Sequence, residues 1–391
     1  MNLLDKLKQN GHRIPAFHLT VRPNPKKSTG GTKDITTLLS QRLMNLTLTD
    51  SRGFEADQLD FTLDDTDGLL ELPSRGAILS LGLGWKDEAL TFKGEYTVDE
   101  VEHSGAPDCV TIRARSADLR GSLMNRHERS FHKTTLGKIV QQIADENQLQ
   151  AMVGDEYKNL EIKHIDQTDE SSISFLTRLA EEHDAIATVK NGRLLFIKSG
   201  KSTTASGQKL PEFILTRQDG DSHRFAIAEG DNYKAVKAYW HDTATGKRGE
   251  VIIDENSEVK KVNKTTKKGK ISKKQTTVIQ QNKPVESDND QIKTLRHTYA
   301  TQQTALNACK RHFEKLQRGV ATFSLNLAEG NAELIPEVTV SVVGFKAEID
   351  SNAWIVTQVT HSLSADSGFT TAIECELKVT EGIKLFAEKK G

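Results

Sequence analysis

One order of strands is written twice in this chain. In the first half, an alternating run at Phe61 (FTLDD) leads to Leu72-Pro73, then to ILSLGLGW, then to YTVDEVEHS ending at Ser104. In the second half, FSLNL at Phe323 leads to Ile335-Pro336, then to VTVSVVGF, then to WIVTQVTHS ending at Ser362. Tyr96 to His103 and Trp354 to His361 span the same interval, and each unit closes with one more alternating strand, CVTIRA or TAIECEL. Alternation of apolar and polar residues buries one face of a strand. Proline fits at the start of such a strand because it has no N–H to give to the ladder. The pattern predicts two related antiparallel β-barrels. Three such chains around an axis would present six similar barrels in a ring.

The rest of the chain divides around these units. Residues 1–33 read as an N-terminal arm with a possible strand, Ala16–Val21, before PNPKKSTGGTK breaks regular structure. Residues 34–129 form the first barrel. Near Thr134 the period changes: Leu136, Ile139, Val140, Ile143 and Leu149 keep helical spacing, with Thr134 or Thr135 as N-cap. A second helix is expected from about Ser171 to His183. Asn191-Gly192 between two apolar runs then signals a tight hairpin, since its turn needs positive φ at both central residues. Residues 130–200 are therefore a small α+β domain. The second barrel takes 201–241 and 291–391, with a helix over 301–317 that sets Leu306, Cys309, Phe313 and Leu316 on one face. Between them, 242–290 is polar and rich in lysine, and is expected to be a flexible insertion with too little apolar area to offset ordering. The fold class is mainly β with an α+β insertion.

Totals exclude several classes. The chain has 391 residues, 53 basic against 54 acidic, for a net charge of −1. So even a balance gives no general attraction to nucleic acid or membrane. The three cysteines, Cys109, Cys309 and Cys375, lack metal-ligand spacing and read as free thiols from a reducing cytosol. MNLLDKLKQNGHRIP has no apolar stretch of the kind a signal peptide needs. No run reaches the ~18 apolar residues of a membrane span, so no membrane insertion is expected.

Chemical motifs fare poorly. HERSFH places His127 and His132 five apart, whereas a zinc-protease helix needs four, and the stretch reads as a loop. Asp64, Asp65 and Asp67 before Gly68 fail calcium-loop spacing and read as an acidic turn. No nucleophile elbow, phosphate loop or dinucleotide fingerprint is present. His103-Ser104 and His361-Ser362 read as one structural position duplicated. Trp85, Trp240 and Trp354 read as core or interface anchors. No catalytic residue, metal or cofactor is expected.

The segments LTLTDSRGFEADQLDFTLDD, KGEYTVDEVEHSGAPDCVTIRARSADLRG, HIDQTDESSISFLTRLAEEHD and KLQRGVATFSLNLAEG closely resemble the late control protein D (gpD) family, the tail-hub proteins of temperate phages with contractile tails. The resemblance runs in unbroken order from about Asp34 to Val379. It implies a structural homotrimer that adapts a hexameric tail tube to a trimeric spike, with other baseplate proteins and the tape measure as further neighbours. It also implies kinship with the hub part of type VI secretion VgrG spikes. A chain ending soon after the second barrel, without β-helix repeats, is expected to leave the spike to another polypeptide. Only one cluster is then a candidate contact site: Lys260, Lys261, Lys264, Lys267, Lys268, Lys270, Lys273 and Lys274. These lysines read either as a solvated loop or as a contact with DNA or an acidic partner along the tail channel.

Overall fold

The alternating runs become strands, and the apolar residues of the first copy meet in one core. The computed structural model describes residues 13–24, 30–116, 121–190, 192–204, 206–227, 233–243, 245–254, 257–265, 271–281 and 291–378. They fall into two compact units. One holds 1–180, 185–224 and 323–375; the other holds 181–184, 225–322 and 376–391.

The first copy of the duplicated unit begins with β1 (Pro15–Arg22) and β2 (Lys33–Asp34). It continues with β3 (Leu43–Ser51), β4 (Gln58–Asp64), β5 (Ile78–Trp85), β6 (Thr91–Ser104) and β7 (Cys109–Ser116). Its strands lie in the order β3-β4-β7-β6-β5-β1, every pair antiparallel. Leu46, Leu48, Leu59, Phe61, Leu79, Leu81, Tyr96, Val98 and Ile112 share one buried cluster, as the period-two pattern predicts. β1 belongs to this sheet along its whole length, so the strand expected in the arm is an integral part of the first copy.

A small α+β part follows. β8 (Arg126–Thr135) and β10 (Glu161–Ser171) pair as a ribbon. β9 (Gln150–Val153), β11 (Ala185–Lys190) and β12 (Arg193–Lys198) form a second small sheet. HERSFH lies in β8, so the loop expected there is a strand. Thr135 caps the Leu136–Glu146 helix by accepting the Lys138 N–H. That helix and Ser172–His183 bury Leu136, Ile139, Val140, Ile143, Phe175, Leu176 and Leu179 in a separate core.

The second copy comprises β13 (Glu212–Thr216), β14 (Gly220–Ile227), β20 (Ala321–Leu327), β21 (Thr339–Val343), β22 (Ala353–Ser364) and β23 (Gly368–Leu377). Its order is β14-β20-β23-β22-β21-β13, which matches the first copy strand for strand. One flank differs: β1 runs antiparallel to β5, whereas β13 runs parallel to β21. β22 also pairs with β3, from Gln358 opposite Ser51 to Ser364 opposite Asn45, which joins both copies into one 13-stranded sheet. Among the described residues the paired path ends at β14 and β2.

Between β14 and β20 in sequence come β15 (Ala235–Asp242), β16 (Lys247–Asp254), β17 (Ser257–Thr265), β18 (Ile271–Gln281) and β19 (Ile292–Thr294). Two boundaries are corrected here. β15 and the Gln302–Gly319 helix do not join the second barrel's sheet; β15 pairs with β16 and β19, and Leu306 and Cys309 pack on Val236, Val251 and Ile253. The stretch 242–290 is not without structure, because β16 lies in it and β17 and β18 form an antiparallel pair. Valine, isoleucine and threonine at Val259, Val262, Ile271, Thr276, Thr277, Val278 and Ile279 favour extended backbone, a bias hidden by the lysines around them.

Candidate functional site

The lysine cluster is divided by the fold. Lys260, Lys261 and Lys264 lie in β17, and Lys273 and Lys274 in β18; Lys260 is opposite Val278 and Lys261 opposite Thr277. Lys267, Lys268 and Lys270 lie outside the described residues. The hairpin therefore carries the five described lysines on two adjacent strands.

The motifs set aside by spacing have structural explanations. His132 and His164 face each other across the β8–β10 ribbon with Nδ1 atoms 3.0 Å apart, and His164 Nε2 lies 3.0 Å from Asp166. His127, an odd number of residues before His132, is on the other side of the strand. Among the described residues no group of three ligands could hold a metal. In the acidic turn, Asp64 Oδ1 accepts the Thr66 N–H, Asp65 Oδ1 accepts the Leu70 N–H, and Arg42 grips Asp67. The Arg42 guanidinium pulls the Asp67 carboxyl down to about 2. His103 and His361 occupy the same place in the two copies, yet His103 is exposed and His361 is fully buried against Thr371. Burial, with the charge of Lys93 nearby, pushes His361 down to about 3. Trp85 and Trp354 are buried, and each indole N–H donates to a backbone carbonyl, Gly330 and Ile349 respectively.

Sequence reasoning missed the polar junction where the three parts of the first unit meet. Lys190, at the end of β11, is an ion-pair partner of both Asp50 and Asp57, with its Nζ 2.8 Å from Asp50 Oδ1. Asp57 Oδ1 also accepts the Ser51 N–H. Burial and the neighbouring Asp50 charge raise the Asp57 carboxyl to about 6. Burial pushes Lys190 the other way, but the two carboxylates outweigh it and hold the ammonium charged. A second node sits at Glu337 in the second copy. It pairs with Arg52 of the first copy at 2.9 Å and accepts the Gly200 N–H at the end of the small domain. Ser202 and Thr339 hydrogen-bond beside it at 2.7 Å. The contacts between the three parts are 133 residues or more apart in sequence, so no local spacing announces them; the signal was only a lone lysine closing a hairpin. What such a junction does chemically is to fix one arrangement of three domains, because each charge is expensive to leave unpaired.

The family model described as phage tail baseplate hub (GPD) matches residues 52–367. A probable baseplate hub protein of Escherichia phage 186 is 46% identical over 380 residues, covering 94% of this chain and 94% of its own. Among solved structures, a tail protein from Neisseria meningitidis MC58 has a TM-score of 0.59 at 12% identity, with 94% of this chain and 98% of that one covered. A component of the type VI secretion system of E. coli has a TM-score of 0.50 at 11% identity, covering 87% and 74%. The fold expected from the resemblance, including its likeness to the secretion hub, is the fold observed.

Proposed function

This chain belongs to the phage tail baseplate hub (GPD) family, and from that premise we propose that it works as a homotrimer whose six barrels form a pseudo-six-fold ring between the tail tube and a trimeric spike. Its role is that of a structural component of the virion tail. One face of the ring takes the last ring of the hexameric tube, and the other takes the spike. During contraction the hub rides with the tube and transmits thrust. It needs no bond-making chemistry for this, only stiffness.

The observation that carries the reading is the matched strand order of the two copies and the β22–β3 ladder between them. Two like domains held in one continuous sheet are what a threefold assembly needs in order to offer six like surfaces. The polar junction at Lys190 and Glu337 supports it by keeping the small domain in one place. Light scattering on the purified chain, alone and with a candidate spike protein, tests the proposal. A trimer that gains mass with the spike is expected; a monomer at all concentrations refutes it.

The lysines of β17 and β18 support a narrower reading, contact with DNA or an acidic neighbour along the channel. Replacing all eight lysines of the cluster by glutamine should leave trimerisation intact and weaken assembly or DNA delivery. Unchanged assembly and delivery would remove that contact from the proposal.

A further inference from the structure

Two histidines face each other on the outer side of the β8–β10 ribbon. His132 and His164 are directly opposite in the antiparallel register, and both are exposed. Their neighbours along each strand hold them in place. Phe131 and Ile165 alternate with them and pack into the core of the small domain, where the Phe131 ring lies 5.6 Å from that of Phe175. The Nδ1 atoms of the pair are 3.0 Å apart. Behind His164, Nε2 meets Asp166 at 3.0 Å, and Asp166 takes a hydrogen bond from Ser130 opposite it. A carboxylate only accepts, so His164 keeps its proton on Nε2 and turns the Nδ1 lone pair towards His132. A carboxylate behind a histidine is the arrangement that orients a metal ligand.

We propose that His132 and His164 chelate one divalent transition-metal ion through their Nδ1 atoms, with copper(II) held most tightly. With metal–nitrogen bonds of about 2.0–2.1 Å, a 3.0 Å separation subtends about 95° at the metal. That is close to the right angle of a tetragonal site and short of the tetrahedral angle, ~109°, that zinc takes. Rings that converge on such a point have centroids about 4.7 Å apart, since each centroid lies about 1.15 Å behind its nitrogen. The centroids of His132 and His164 are 4.6 Å apart, with the rings tilted by 23°. Rings aimed straight at each other would stand farther apart. Copper(II) combines this geometry with the highest place in the order of divalent affinities. Without metal, His132 donates its Nδ1–H to His164; on binding, that proton moves to Nε2 of the same exposed ring. Two side chains are fewer than the three or four of a resident metal centre, so water fills the remaining positions and the ion is exchangeable. Bound there, it ties β8 to β10 across the ribbon and stabilises the small domain.

The site does not depend on the trimeric reading, so its test stands apart from that one. The untagged full chain is titrated with copper(II) chloride in a calorimeter. The tightest site should take one copper per chain, and electron paramagnetic resonance of that copper should show two equatorial nitrogens. His132→Gln and His164→Gln should each weaken the site by about tenfold or more, and Asp166→Asn by a similar factor. His127→Gln, on the other side of β8, should leave it unchanged. A wild-type chain with no copper site refutes the chelate, as does a site of equal strength in His132→Gln and His164→Gln, or a spectrum without two nitrogens. Both histidines are exposed, so the variants should keep the wild-type circular dichroism spectrum. Should one of them fail to fold, the resonance spectrum of copper on the wild-type chain decides alone.

Discussion

Replacing Lys190 by methionine removes the cation that ion-pairs with both Asp50 and Asp57 while keeping a stem of similar length. Taking one partner from a buried ion pair costs about 3–5 kcal/mol, because the remaining charge has no partner. The Lys190 side chain is 32% exposed, so solvent screens part of this and the lower end, about 3 kcal/mol, applies at neutral pH. The loss must depend on pH. The folded Asp57 carboxyl, at about 6, lies above the unfolded value of about 3.9. The unfolded chain therefore releases its proton first as pH rises, and stability falls between about pH 4 and 6 before levelling off. At pH 5 Asp57 is mostly neutral in the folded chain, and the variant strands one carboxylate instead of two. Its deficit there should be about half that at pH 8. Urea unfolding at one fixed chain concentration, at pH 5 and pH 8, measures both values. Adding Asp57→Asn to the variant should recover about half the pH 8 loss. Equal deficits at the two pH values, or a deficit under about 1 kcal/mol at pH 8, would refute the account of this junction.

Three further outcomes follow from the packing. Arg318 and Asp184 are both nearly fully buried and paired, so Arg318→Leu should destabilise the second unit by about 3–5 kcal/mol, read from the fluorescence of Trp240 during denaturation. A Cβ at Gly330 would lie 2.6 Å from the Phe369 ring, so Gly330→Ala should cost about 1–3 kcal/mol, and Phe369→Leu in the same chain should return part of it. Burial lifts the Cys309 thiol to about 12, so in a thiol-labelling time course Cys109, the least buried of the three cysteines, should react first and Cys309 only on unfolding.

The duplicated barrels were legible because alternation is a local signal that survives in each strand. FTLDD and FSLNL could be aligned by eye, and β4 and β20 do hold equivalent places in the sheet. The helix at Leu136 could be read from its spacing and its threonine cap. The partners of strands were not legible. β15 alternates like its neighbours in sequence, yet it leaves the second barrel for a sheet with β16, because Val236 and Ala238 find Leu306 and Cys309 on a helix far along the chain. Composition misled at β17 and β18, where abundant lysine hid a β-branched backbone preference. The junction of Lys190 with Asp50 and Asp57 was invisible for a different reason: a buried ion pair between distant segments has no period and no motif.

The reversed flank also has a consequence for recognition. In the proposed trimer, a body that touches only the strands common to both copies would count six equal seats. One that reaches the strand flanking β5 or β21 would meet opposite chain directions at alternate seats, β1 in one and β13 in the next. Such a rim would be keyed: it would accept a three-bladed plug in three orientations and reject the three that lie between them.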